Sequence, residues 1–247
     1  MNARTTTQSE FTTGSMAQNI LRLAVPMTFA QLINLLYSII DRVYIGHIGT
    51  DSTLALGGVG LTFPIITIIS AFANLFGTGG SPLFSISRGQ NENDKALTIM
   101  GNCFSMLVLT GLLLTIFCMI LKRPILFLFG ASEVTFPYAD SYITIYLIGT
   151  VFVMITLGMN NFINAQGFGR KGMMTILIGA VLNIILDPIF IFVLNMGVAG
   201  AALATILSQA VSALWVTCFL FGKHSLMPIT LRSLRIHFGL LKEICCL

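Results

Sequence analysis

Residues 175–194 read TILIGAVLNIILDPIFIFVL, an apolar run interrupted by Asn183 and then by Asp187 with Pro188 directly behind it. Twenty helical residues at ~1.5 Å each cover ~30 Å, the hydrocarbon thickness of a bilayer. An ionised aspartate facing lipid costs on the order of 3 kcal/mol on insertion scales, so an intramembrane carboxylate normally faces a bundle interior and has a task. The proline removes a helical hydrogen bond and permits a bend, static or moving.

The rest of the chain has the same character. Of 247 residues, 55% are apolar and 9% charged, against roughly a quarter charged in a soluble domain. The charges are bunched into short clusters between long uncharged runs, the pattern of spans and loops. The five cysteines, Cys103, Cys118, Cys218, Cys245 and Cys246, have no metal-type spacing and are expected to be small buried apolar residues. No disulfide framework, metal site or cofactor is expected. The start, MNARTTTQSEFTTGSMAQN, lacks the short apolar region and cleavage site of a signal peptide, so the first span is expected to stay in the mature chain.

Six segments are long enough to cross: about 17–46, 52–86, 96–121, 135–165, 172–194 and 199–221. The fold class is therefore all-α, a polytopic membrane protein with six transmembrane helices. The second segment is too long for one straight helix, and Pro64, Gly77, Gly79, Gly80 and Pro82 offer places to bend or unwind. The amino-terminal segment and the loops after spans two, four and six carry Arg4, Arg22, Arg88, Lys95, Arg170, Lys171, Lys223, Arg232, Arg235 and Lys242. The opposite side, at and after the ends of spans one, three and five, carries only Arg42, Lys122 and Arg123. This bias places both ends of the six-span block in the cytoplasm, across a cell (inner or plasma) membrane. The predicted organisation is a polar cytoplasmic segment 1–16, a transmembrane block 17–222 and a cytoplasmic amphipathic linker 223–247. The net charge of +4 reflects this topology and contact with membrane lipid, and gives no argument for nucleic acid as a partner.

Polar residues inside the spans form stripes. Gln31, Asn34, Ser38 and Asp41 share one face of span one, and Thr175, Gly179, Asn183 and Asp187 one face of span five. Thr205, Gln209 and Ser212 do the same in span six. Asp41 and Asp187 both fall in the outer half of the membrane, where they can share a cavity. Asp41 has an alternative reading as an outer-end residue paired with Arg42; Asp187 has no basic neighbour in its span. A carboxyl group held out of water can take up a proton or bind a cation in exchange. Pro26 and Pro188 are the corresponding bending points. GGVG (57–60) and GTGGSP (77–82) do not continue into a phosphate-binding loop and are read as helix-packing glycines, while Gly200, Ala204 and Ser208 supply small residues at every fourth position. His47, His224 and His237 have no catalytic neighbours, so an enzyme is not expected.

The stretches DRVYIGHIGT (41–50), GTGGSPLFSISRGQNENDKA (77–96), NAQGFGRKGM (164–173) and GAVLNIILDPIFIFVLNMGVAGAALATILSQ (179–209) resemble the multidrug and toxic compound extrusion (MATE) transporters. The resemblance covers about 17–222, the amino-terminal six-helix lobe of that fold. It implies an antiporter that expels organic cations or drugs in exchange for H⁺ or Na⁺, built from two six-helix lobes around a cavity. It also implies roles for residues that match the family pattern: Asp41, Asp187, Asn183, Thr205 and Tyr142 in cation coupling, Asn34, Asn160 and Gln31 in the substrate cavity, and Pro26 at the bend of helix one. Tyr142 has an alternative reading as an interfacial anchor. A second block does not follow Leu247, so the expectation is a partial chain cut near Cys245 or a half that pairs as a homodimer. The competing readings are a flippase for lipid-linked sugars in the wider superfamily, and a non-transporting fragment or membrane scaffold.

Overall fold

The computed structural model describes residues 16–49, 52–222, 225–230 and 233–235. The amino-terminal segment, Lys242, His224, His237, Cys245 and Cys246 lie outside them. Among the described residues the order is α1 (Met16–Ile45), α2 (Ser52–Gly60), α3 (Phe63–Gly89), α4 (Asn93–Leu128), α5 (Phe136–Ile148), α6 (Thr150–Ala165), α7 (Gly169–Pro188), a π-helical turn (Ile189–Val193) and α8 (Val198–Phe221). α1, the α2–α3 pair, α4, α7 with its π turn, and α8 are each long and apolar enough to cross a membrane. The α5–α6 pair, bent by 59°, meets the same length and hydropathy requirement when its two helices are taken together.

α6 is the hub, packed against α3, α4, α7 and α8, whereas α1 rests almost entirely on α7. The outer faces of α1 and α4 expose Leu32, Leu35, Leu36, Leu113, Ile116 and Phe117. In water such faces would be a liability; against lipid tails they are solvated.

The fourth predicted span is two helices, a break the sequence reading missed. Gly149 separates them, and a Cβ on Gly149 would run into the side chain of Ile206, so glycine lets α8 press into the corner. The second span breaks at Leu61–Thr62, just before Pro64, which sits in the first turn of α3 where its missing N–H costs nothing. The helix does not unwind at Gly77, Gly79, Gly80 or Pro82, because α3 runs through all four. Gly77 and Gly80 serve instead as contact points for α6 and α4.

α4 continues seven residues past its predicted end, through Lys122, Arg123 and Pro124. The charges that suggested a loop are satisfied sideways. Lys122 Nζ lies 2.7 Å from Asp140 Oδ1 and donates to Thr144 Oγ1 at 2.6 Å, while the Arg123 guanidinium lies over the rings of Phe127 and Phe136. Of the cysteines, Cys103 and Cys118 are buried but Cys218 is exposed, so the expectation of burial fails there.

The described part of the tail folds back over one end of the bundle. Gln166, 1% exposed at the end of α6, accepts hydrogen bonds at Oε1 from Ser225 Oγ (2.8 Å) and the Leu226 N–H (3.1 Å). Ile229 donates to the Leu220 carbonyl, and Ser105 Oγ of α4 to the Leu234 carbonyl. Replacing Gln166 by leucine would leave two tail donors without their acceptor at a cost of about 1–3 kcal/mol. The expected result is roughly tenfold faster proteolytic cleavage within 225–235, since 1.4 kcal/mol is a factor of ten in an opening equilibrium. Unchanged cleavage would mean that the clasp contributes nothing.

Candidate cation site and cavity

The polar stripes of α1, α7 and α8 converge. α7 carries Asn183 and Asp187 one turn apart, 2% and 0% exposed. Asn183 Nδ2 donates to Asp187 Oδ1 at 3.1 Å and also reaches Thr205 Oγ1 on α8 at 3.4 Å. Thr205 and Tyr142 of α5 line the same cavity. Tyr142 is buried and stacked on Tyr146, with ring centroids 6.2 Å apart, so it is no interfacial anchor here.

Asp41 stands on α1, on the wall of the same cavity as Tyr142 and Thr205. Arg42, its expected partner in the alternative reading, lies 4.7 Å over the Phe63 ring. Among the described residues it makes no close ion pair with Asp41.

A cavity of about 370 Å³ opens between these helices. Gln31, Asn34, Ser38 and Asp41 all line it, as do Tyr142, Thr205 and Asn160. Asp187 and Asn183 sit one layer behind, joined to the wall through Thr205. Pro26 lies within an uninterrupted α1. Pro188 closes α7 and is followed by the π turn, in which the Leu194 N–H reaches back to the Ile189 carbonyl at 2.9 Å.

The electrostatics of the site lie in its unpaired atoms. Asp41 Oδ1, Asp187 Oδ2, Asn183 Oδ1, Asn160 Oδ1, Asn164 Oδ1 and Gln209 Oε1 are buried with no hydrogen-bond partner among the described residues. Buried polar atoms are nearly always paired, so six orphan acceptors around one cavity call for a donor or a cation. Sequence reasoning missed Tyr37 and Tyr146, which also line the cavity. Each lies four residues from a residue already singled out, Asp41 and Tyr142, and that spacing was the available signal.

Apolar helices around a polar cavity that holds carboxylates make the fold of one lobe of a membrane transporter. The MatE family model matches residues 26–189, and the chain belongs to that family. Over 235 residues it is 29% identical to the multidrug export protein MepA of Staphylococcus haemolyticus, covering 95% of this chain and 51% of that one. With MepA of Staphylococcus aureus strain NCTC 8325 the identity is 24% over 225 residues, covering 91% and 49%. It superposes on a MATE transporter crystallised in a bent conformation with a TM-score of 0.85 and 29% identity, covering 94% of this chain and 51% of that chain. A MOP superfamily transporter from Pyrococcus furiosus, described as having a binding pocket of reverse polarity, gives a TM-score of 0.86 at 30% identity over 94% and 51%. The chain thus spans about half the length of the curated relatives it matches.

Proposed function

We propose that this chain forms the cation-binding lobe of a multidrug efflux antiporter, in which an organic cation and a coupling H⁺ or Na⁺ compete for one acidic network. The observation that carries the reading is a pair of carboxylates, half-buried Asp41 on the cavity wall and fully buried Asp187 linked to that wall through Asn183 and Thr205, each with one buried oxygen that has no partner among the described residues. In the proposed cycle, loading of this network by H⁺ or Na⁺ discharges the organic cation outward, and unloading resets the site. α1 is suited to respond because α7 is nearly its sole partner, and Pro26 lets it bend. Orientation with both ends of the block in the cytoplasm, and completion of the cavity by a second lobe or a second copy of the chain, belong to the same proposal.

The polarity of the cavity favours this cargo over a lipid-linked sugar phosphate. Its charged lining side chains are Asp41 and Arg42, and Arg42 is engaged with Phe63. The other polar lining groups are neutral amides and hydroxyls, so the carboxylate of Asp41 sets the polarity and disfavours a phosphate.

The test is ethidium accumulation in efflux-deficient cells expressing these 247 residues, with membrane insertion confirmed and a protonophore control. Dye exclusion that the protonophore abolishes supports a working antiporter assembled from this chain. If the inserted chain neither excludes dye nor binds tetraphenylphosphonium in purified form, the reading is wrong; binding without exclusion identifies a lobe that needs a partner.

Thr205→Val tests the bridge. It removes the acceptor for Asn183 Nδ2, a long contact worth about 1 kcal/mol, so tetraphenylphosphonium affinity is expected to fall about fivefold in equilibrium binding with the fold intact. A loss above a hundredfold would mean that Thr205 contacts the cation itself.

A further inference from the structure

Among the described residues, Arg42 is the one basic side chain on the cavity wall. It follows Asp41 directly on α1, and Phe63 lines the same cavity. The break at Leu61–Thr62 makes Phe63 the first residue of α3. Its ring, 39% exposed, is the surface on which the Arg42 guanidinium rests, 4.7 Å from the centroid. The last turn of α1 suits this positive charge without help from a carboxylate, because the carbonyl end of a helix is negative.

Asp41 keeps its Oδ1 buried with no hydrogen-bond partner among the described residues. Adjacent Cα atoms are about 3.8 Å apart, and adjacent side chains diverge by about 100° around a helix. An arginine side chain is long enough to cover that separation, so by turning about its own torsions the guanidinium can reach either the ring or the carboxylate. In the structure it lies on the ring and makes no close ion pair with Asp41. A guanidinium over an aromatic face and an ion pair open to solvent are both weak and of similar strength. Such a balance moves when either partner changes.

We propose that Phe63 is a positioning residue for cation binding: its ring parks Arg42, and without the ring this arginine competes with the cargo for Asp41. The inference rests on the cation-efflux reading and adds to it a determinant of affinity that acts without touching the cargo. A guanidinium carried on the same helix is present at high effective concentration, so once freed from the ring it displaces a weakly bound external cation.

The test is a cycle of tetraphenylphosphonium isotherms on the 247-residue chain in lipid nanodiscs. Phe63→Leu is expected to weaken binding about fivefold when Arg42 is present, and to change it by less than about twofold in an Arg42→Gln background. Phe63→Trp, whose ring holds a cation better, is expected to tighten binding about twofold with Arg42 and to do nothing without it. A merely destabilising change does not tighten binding, so Phe63→Trp in the two backgrounds decides the matter if Phe63→Leu fails to fold. Equal effects of the ring changes in both backgrounds would mean that the ring touches the cargo itself, and no effect in either would mean that Arg42 does not compete for Asp41. Both results overturn the proposal while the cation-efflux reading stands. If the native chain binds no phosphonium, the efflux reading falls and this inference with it.

Discussion

With asparagine at position 187, organic-cation binding is expected to become insensitive to pH and to sodium, whereas the native chain loses at least tenfold in affinity as pH falls from about 8 to about 5. The sign follows from charge. A proton on the carboxylate removes the negative charge that an organic cation needs, so acid weakens cation binding and alkali restores it. Linkage makes the effect reciprocal, and a tenfold change is 1.4 kcal/mol of coupling. Asp187 is the residue to change because it is fully buried and its Oδ2 has no partner, while its Oδ1 is held by Asn183. Asparagine keeps the size and the Oδ1 acceptor, so the fold should survive while the charge is lost. Tetraphenylphosphonium isotherms at the two pH values, with and without sodium, decide the matter. A variant that still responds tenfold would exclude Asp187 as the coupling group and leave Asp41 to carry it.

The second large effect concerns packing. A Cβ at Gly77 would lie 2.8 Å from the Gly158 carbonyl oxygen and 2.9 Å from the Gly158 Cα, both backbone atoms that cannot swing aside. A Cβ at Gly158 would lie 2.5 Å from Leu107 Cδ1 and 3.2 Å from the Ala73 carbonyl. Close backbone approach of this kind is what holds helices together where lipid is as apolar as leucine. Gly77→Val is therefore expected to cost about 1–3 kcal/mol by forcing α3 away from α6, more than any gain in helix propensity returns. Gly57→Ala makes the contrast, because nothing lies within 4 Å of a Cβ there; it is expected to be neutral or to stabilise by up to ~1 kcal/mol. Thermal melting of the purified variants measures both. Equal melting temperatures would mean that the α3–α6 contact tolerates separation.

Much of the fold and of the cavity was legible in the sequence, for a physical reason. In hydrocarbon a polar side chain is costly unless it faces inward, so Gln31, Asn34, Ser38 and Asp41, or Thr175, Asn183 and Asp187, announce the inner faces of their helices by spacing alone. The same logic failed where the decisive atoms are apolar or absent. Gly149 separates two helices in a run that hydropathy reads as continuous, and the side chain pressed against it there is Ile206, 57 residues along the chain. The glycines of α3 look like weak points in sequence because their partners, Gly158 and Cys103, come from other helices. Lys122 and Arg123 looked like the end of a span because Asp140, Phe127 and Phe136 were not yet known to be beside them. Asn164 was placed at the end of the fourth span, and nothing local marked it as a residue of the cavity wall.

The clasp at Gln166 also bears on how this protein can be handled. A reporter joined just after α8 would displace Ser225 and Leu226 from the Gln166 side-chain oxygen and strip Ser233 from Gly101, against which it is pressed. Fluorescent or enzymatic tags meant to read out which side of the membrane the tail occupies are therefore better attached beyond residue 235, where the helical bundle remains covered and the signal reports topology instead of damage.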